Sequence, residues 1–158
     1  MTNNNTIQLG WREWVALPEL GLHAIKAKVD TGAKTSALHA FSTEFYRSES
    51  IDMVKFLIHP IQRNLKFFIE CHAPIIDQRL VTDSGGHREK RFVISSIVTI
   101  GTHSRSIELT LTNRDTMRFR MLLGRRAMDN GVSVSPGASY INGKLKPRLI
   151  YGLATEKT

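Results

Sequence analysis

The sequence predicts an all-β fold, a barrel or a sandwich, on three observations. Apolar and polar residues alternate with period two along most of the chain, the spacing that turns one face of a strand inward and the other outward. Clusters of turn-forming residues break these runs at short intervals, as in "LPELG", "DSGGH", "IGTHS" and "INGK". Only residues 125–130, "RRAMDN", are spaced like a helix, and Gly131 stands where that helix would end.

Taken in order, residues 11–16 and 20–29 alternate on either side of a Pro-Glu-Leu-Gly turn, and the second run stops at Asp-Thr-Gly. Residues 51–59, 66–72 and 75–82 continue the alternation. The runs at 90–100 and 105–112 flank "IGTHS", and 119–123 leads into the short helix. The glycines of "VTDSGGHREKRFV" sit at the pivot between two alternating strands, the grammar of a hairpin tip. Asn142-Gly143 suits a type I′ hairpin. At 158 residues one packed domain is expected, running over 11–152, with 1–10 and 153–158 as loose ends.

Composition narrows the function classes. The hydrophobic fraction of 41% and charged fraction of 23% are those of a soluble globular protein. No apolar run reaches the roughly 18 residues of a membrane span, and the N-terminus lacks the basic and apolar regions of a signal peptide. A cytoplasmic location is therefore expected. Cys71 is the only cysteine, which excludes an intrachain disulfide and cysteine-rich zinc frameworks. The net charge of +8 is uneven: residues 1–79 carry 9 Lys+Arg against 8 Asp+Glu, and residues 80–158 carry 13 against 6. Arg114, Arg118, Arg120, Arg125, Arg126, Lys144, Lys146 and Arg148 give the second half a surface suited either to plain solvation or to a polyanion such as nucleic acid.

The stretch that could carry chemistry is "KAKVDTGAKTSALHA". A carboxylate where a strand leaves a sheet can be a turn-former or a catalytic group on a rigid scaffold. Aspartate chemistry on a peptide bond needs two carboxylates sharing a proton. Asp83 is the second Asp-Ser/Thr-Gly aspartate, but it belongs to the hairpin tip. The partner of Asp30 would then come from another chain, which points to a twofold homodimer. In "FRMLLGRRAMDNG", Gly124 would let neighbouring backbones approach closely.

The order "KVDTGA", then the glycine-tipped "DSGGH", then "MLLGRRAM" resembles that of retropepsin-like aspartic proteases. The longer "KVDTGAKTSALHA" with "LLGRRAM" resembles more closely the bacterial family labelled ATP-dependent zinc proteases, often associated with the ribosomal-protein glutamate ligase. The likeness spans roughly residues 11–151. It implies a closed or partly closed acid-protease-type barrel with one short helix, acting as an aspartic endopeptidase on a peptide or protein substrate. Asp30 would be the catalytic aspartate, and Thr31 would hydrogen-bond across two aspartate loops. Gly32 and Ala33 would leave room for substrate, Leu122, Leu123 and Gly124 would back the loop, and Gly85 and Gly86 would tip a flap.

This chain departs from the retropepsin pattern in placing Lys34 where an acid commonly pairs with the arginine after the second glycine, so Arg125 must find another partner. It carries neither a His-Glu-x-x-His helix nor a Walker loop, so no metal and no cofactor are expected despite the family's label. The histidines are scattered without ligand spacing; His39 is the one near the aspartate loop. Two rival readings are a non-catalytic peptide-binding module and a basic nucleic-acid or ribosome-associated module.

Overall fold

A computed structural model describes residues 6–82, 85–113, 118–129 and 131–153 of the chain. The fold is all-β, built around one large sheet partly closed into a ring. Its first strand, β1 (Ile7–Leu17), pairs antiparallel with β2 (Leu22–Val29) across a 3-10 turn at Pro18–Leu20 that Gly21 ends with φ +76. Beyond the aspartate loop come β3 (Ser36–His39), β4 (Ser42–Ser48), β5 (Ile51–Ile58), β6 (Ile69–Pro74), β7 (Asp77–Thr82), β8 (Arg88–Ile100), β9 (His103–Thr112), β10 (Met121–Leu123) and β11 (Val132–Ser139). A single turn of helix, α1 (Pro147–Ile150), follows.

The large sheet has the order β11-β1-β2-β10-β3-β9-β8-β7. A contact between Ala16 of β1 and Thr99 of β8 joins its two halves, so that β1, β2, β10, β3, β9 and β8 form the ring. The register of β1 shifts between Gly10 and Arg12 and again between Val15 and Leu17. These irregularities bend the strand, so that its first half serves β11 and its second half β2. At Gly10 the approach of β11 leaves no room for a side chain, because a Cβ would run into the Ala138 carbonyl. Leu17, Leu22, Ile25, Leu38, Ile94, Leu109, Met121 and Leu123 fill the interior. The smaller sheet, β4-β5-β6, adds Val54, Phe56, Ile58, Cys71 and Ala73 to the same core.

The structure corrects several element boundaries. Residues 7–10, expected to be loose, begin β1, because Ile7 and Leu9 are buried against the ring. The strand expected over 66–72 starts only at Ile69, since the Asn64 side chain accepts the amides of Lys66 and Phe67 and holds a turn there. The helix expected over 125–130 is a 3-10 turn, Arg125–Met128, and Asn130 lies outside the described residues. Asn142-Gly143 closes no hairpin: the turn centres on Ile141 and Asn142, with the Gly143 amide donating to the Tyr140 carbonyl. Strands β3, β4 and β11 and helix α1 were not among the expected elements. No helix of the described residues is long and apolar enough to cross a membrane.

Candidate active site

The aspartate loop is positioned by the shortest strand in the fold. β10 lies between β2, to which it is parallel, and β3, to which it is antiparallel; Val29 stands opposite Leu123 and Ala37 opposite Leu122. The β2–β10 ladder runs one step beyond β2, because the Asp30 amide donates to the Leu123 carbonyl at 2.9 Å. The chain then reverses. The Ala33 amide donates to the Asp30 carbonyl at 3.2 Å, and the Gly32 amide donates to Asp30 Oδ1 at 3.0 Å. Asp30 is half-buried, while Thr31 and Gly32 are exposed.

A second layer locks this loop from below. After Leu123, the amide of Gly124 donates to Ser36 Oγ at 3.0 Å, that of Arg125 to the Ala33 carbonyl at 2.7 Å, and that of Arg126 to the Lys34 carbonyl at 3.1 Å. Arg125 finds its partner without an acid: its guanidinium donates to the carbonyls of Thr31 and Gly32 at 3.2 and 3.3 Å. As Lys34 at that position implied, no acid–arginine pair forms here, and Lys34 is exposed. Gly124 is buried tightly beneath Thr35 and Ala33.

The structure thus brings Asp30, Thr31, Gly32 and Ala33 together with Leu123 and Gly124, and places the half-buried Leu122 on the same strand. Gly85 and Gly86 lie apart from them, exposed at the tip of the β7–β8 hairpin, whose strands pair from Asp77–Val93 to Thr82–Arg88. Gly86 has φ +83, a conformation that favours glycine. Asp83 lies outside the described residues. Ser36 and the backbone grip of Arg125 were missed in the sequence. A serine six residues after an aspartate carries no signal of its own, and the Arg125 contacts are to carbonyls, which every residue has.

The remaining nucleophilic and metal-ligating groups stand elsewhere. His39 is buried on β3, its amide donating to the Arg120 carbonyl. Cys71 is buried, with its thiol directed at the Leu20 carbonyl, and burial together with nearby Glu70 pushes its pKa up to about 12. On the opposite face of β6, exposed His72 bonds Glu70 and the Tyr46 hydroxyl. No three His, Cys, Asp or Glu side chains gather among the described residues, so these do not assemble the donor set of a zinc site.

Residues 8–145 match the family described as RimB-like, retropepsin-like aspartic endopeptidase RimB. Two proteins named "Probable alpha-L-glutamate ligase", from Shewanella pealeana and Shewanella halifaxensis, are each 42% identical to the chain over 158 residues, covering 98% of it and 34% of their own length. A protein of the same name from Parasynechococcus marenigrum is 45% identical over 140 residues, 89% of this chain and 30% of its own. The chain therefore spans about a third of the length of these curated relatives. The crystal structure of a Legionella pneumophila protein of unknown function superposes with a TM-score of 0.72 at 24% identity, over 89% of this chain and 99% of that one, a likeness of fold.

Proposed function

The chain belongs to the RimB-like family of retropepsin-like aspartic endopeptidases, and on that premise we propose that it hydrolyses peptide bonds as a twofold homodimer in which Asp30 of one copy meets Asp30 of the other. One carboxylate is ionised and takes a proton from a water, whose oxygen attacks the peptide carbonyl carbon. The other is protonated and donates to the carbonyl oxygen. Collapse of the tetrahedral intermediate breaks the C–N bond, and the departing amine takes up a proton. Because the pair must hold one proton between its two members, activity should be bell-shaped in pH. Gly85 and Gly86 would close over the bound peptide, and Thr31, exposed beside Asp30, would contact its counterpart across the axis.

The observation that carries this reading is the double lock on the aspartate loop: Asp30 extends the β2–β10 ladder through Leu123, while Gly124 and Arg125 hold the loop from beneath. A carboxylate held so rigidly can meet its symmetry mate in a fixed geometry. The test is cleavage of an unstructured protein by wild type and by Asp30→Asn, with the oligomeric state measured in parallel. Cleavage by a dimer that is lost in the folded Asp30→Asn protein supports the proposal; equal cleavage by both proteins removes it.

The second reading, a non-catalytic peptide-binding module, is favoured by the Gly32 amide, which satisfies Asp30 Oδ1 within its own turn. On that reading wild type and Asp30→Asn bind the same peptides and neither cleaves them. The name shared by the curated relatives supports a functional link to a glutamate ligase, and with it a glutamate-rich substrate drawn to the basic chain. Equal cleavage of acidic and neutral peptides at low salt would remove that preference.

A further inference from the structure

Two arginines among the described residues are buried, and they are answered differently. Arg91, 8% exposed, donates to Glu89 at 2.8 Å and approaches the Thr110 hydroxyl at 3.5 Å. Arg120, 9% exposed, has a buried Nε with no hydrogen-bond partner among the described residues. A charge so desolvated is costly unless an anion nearby offsets it. Arg120 lines a pocket of about 290 Å³ together with Arg12, Gln62, Arg63, Leu65, Arg118 and Phe119. We propose that Arg12, Arg63, Arg118 and Arg120 form a binding site for a small oxyanion, a carboxylate or phosphate group, at the opposite end of β10 from the aspartate loop.

The walls of this pocket are built rather than incidental. Arg12 is fixed from two sides: its Nε donates to Ser139 Oγ at 3.1 Å, and its guanidinium carbon lies 4.5 Å from the Trp11 ring centre and 4.9 Å from that of Tyr140. Phe119 meets Trp11 edge-on at 5.8 Å. The loop carrying Arg63 is stapled to the arginine segment by Gln62, whose side chain donates to the Arg118 carbonyl at 3.0 Å, and is shaped by the Asn64 turn. Arg63 itself sits at φ +62, a conformation residues with a Cβ rarely adopt. Four guanidiniums around one pocket repel each other, and no carboxylate among the described residues forms an ion pair with any of them. Planar guanidinium forks lining one pocket suit the oxygens of a carboxylate or phosphate.

His59 provides a spectroscopic witness. It stacks on Phe41 at 4.0 Å, and burial, followed by the charge of Arg120, holds its pKa below the ordinary histidine value. An anion on Arg120 would offset that repulsion and move the His59 titration upward.

The experiment is calorimetric titration of the whole chain at low salt with inorganic phosphate and, separately, glutarate, alongside NMR titration of His59. We expect saturable one-site binding of at least one of the two, an upward shift of the His59 midpoint, and affinity at least tenfold weaker in both Arg120→Gln and Arg63→Gln. Lys90→Gln, an exposed charge on β8, should bind as wild type does. Binding of phosphate alone identifies a phosphate-bearing ligand, binding of glutarate alone a carboxylate-bearing one, and either supports the site. No saturable binding of either anion overturns it. So does binding that weakens as much in Lys90→Gln as in the pocket variants, which would mean an adventitious ion only. The Arg63 variant lies on an exposed loop and keeps the test readable if Arg120→Gln does not fold.

Discussion

A β-carbon placed on Gly124 would stand 2.7 Å from the carbonyl carbon of Thr35 and 2.8 Å from its oxygen. Both are backbone atoms of the segment that carries the aspartate loop into β3, so no side-chain rotation can relieve the clash. Gly124→Ala should therefore cost about 1–3 kcal/mol of stability, as overpacking in a closed site does. Urea unfolding checks this, and an unchanged midpoint would mean that the loop is not clamped from below.

Glu13 should prove to be a structural carboxylate. It is fully buried, yet it accepts three backbone amides, those of Gly10 at 2.7 Å and of Ile141 and Asn142 at 3.1 Å each. Glutamine offers one acceptor oxygen where glutamate offers two, and its amide nitrogen would confront a donor. The Glu13→Gln protein should lose about 2 kcal/mol. A denaturation midpoint within error of wild type would remove this role.

Alkaline pH should destabilise the fold by a route that can be assigned to two residues. Burial pushes the Cys71 thiol from its ordinary 9.0 to about 12 and the Tyr151 hydroxyl from 10.0 to about 12. Each raised pKa means that the folded state keeps a proton the unfolded chain releases, so their contribution is full below about pH 9 and falls away as pH rises toward 12. Cys71→Ala should flatten the loss that begins near pH 9. A thiol reagent at pH 8 should modify Cys71 only as fast as the protein unfolds, and rapid labelling of the native state would contradict its burial.

Tyr151 has a second, separable duty. Its hydroxyl donates to the Ala24 carbonyl at 2.6 Å and accepts the Ala24 amide at 3.0 Å, tying the segment after α1 to β2. Tyr151→Phe should cost roughly 1–2 kcal/mol and speed amide exchange at Ala24. Unaltered exchange there would mean that the tie is not formed in solution.

Arg125→Met tests the loop grip directly. Losing the contacts to the Thr31 and Gly32 carbonyls should leave stability nearly unchanged, because Arg125 is exposed, while loosening the geometry around Asp30. If the chain is a peptidase, turnover should fall on the order of tenfold or more with little change in melting temperature. Full activity in this variant would show that the guanidinium is dispensable.

How much of this was legible in the sequence depended on whether the chain announced itself locally. The strand leading into "DTGA" alternates over most of its length because one face of it is in the ring, and the glycine-rich tip between β7 and β8 marks its own hairpin. The β4–β5 hairpin turns instead through Glu49 and Ser50, both at positive φ, where no glycine or asparagine flags the bend. β4 also has no alternation to read, being exposed on nearly every residue. Asn142-Gly143 errs the other way: it looks like a hairpin, but Glu13, some 130 positions away in sequence, captures the turn. The aspartate loop could be found from its motif, whereas Ser36 and the buried Arg120 acquire their meaning only from what folds over them.

The placement of β1 bears on how the protein is made. The first strand is an interior member of the large sheet, pairing with β2 beside it in sequence, with β8 at Ala16–Thr99, and in parallel with β11 from Ile7–Val132 onward. Its central position is therefore completed only by a strand far later in sequence. Until residues 132–139 emerge, one edge of β1 has no strand to accept its amides and carbonyls. Folding should be slow and late, governed by contacts far apart in sequence, and a nascent chain halted before β11 should behave as an open, adhesive half-sheet.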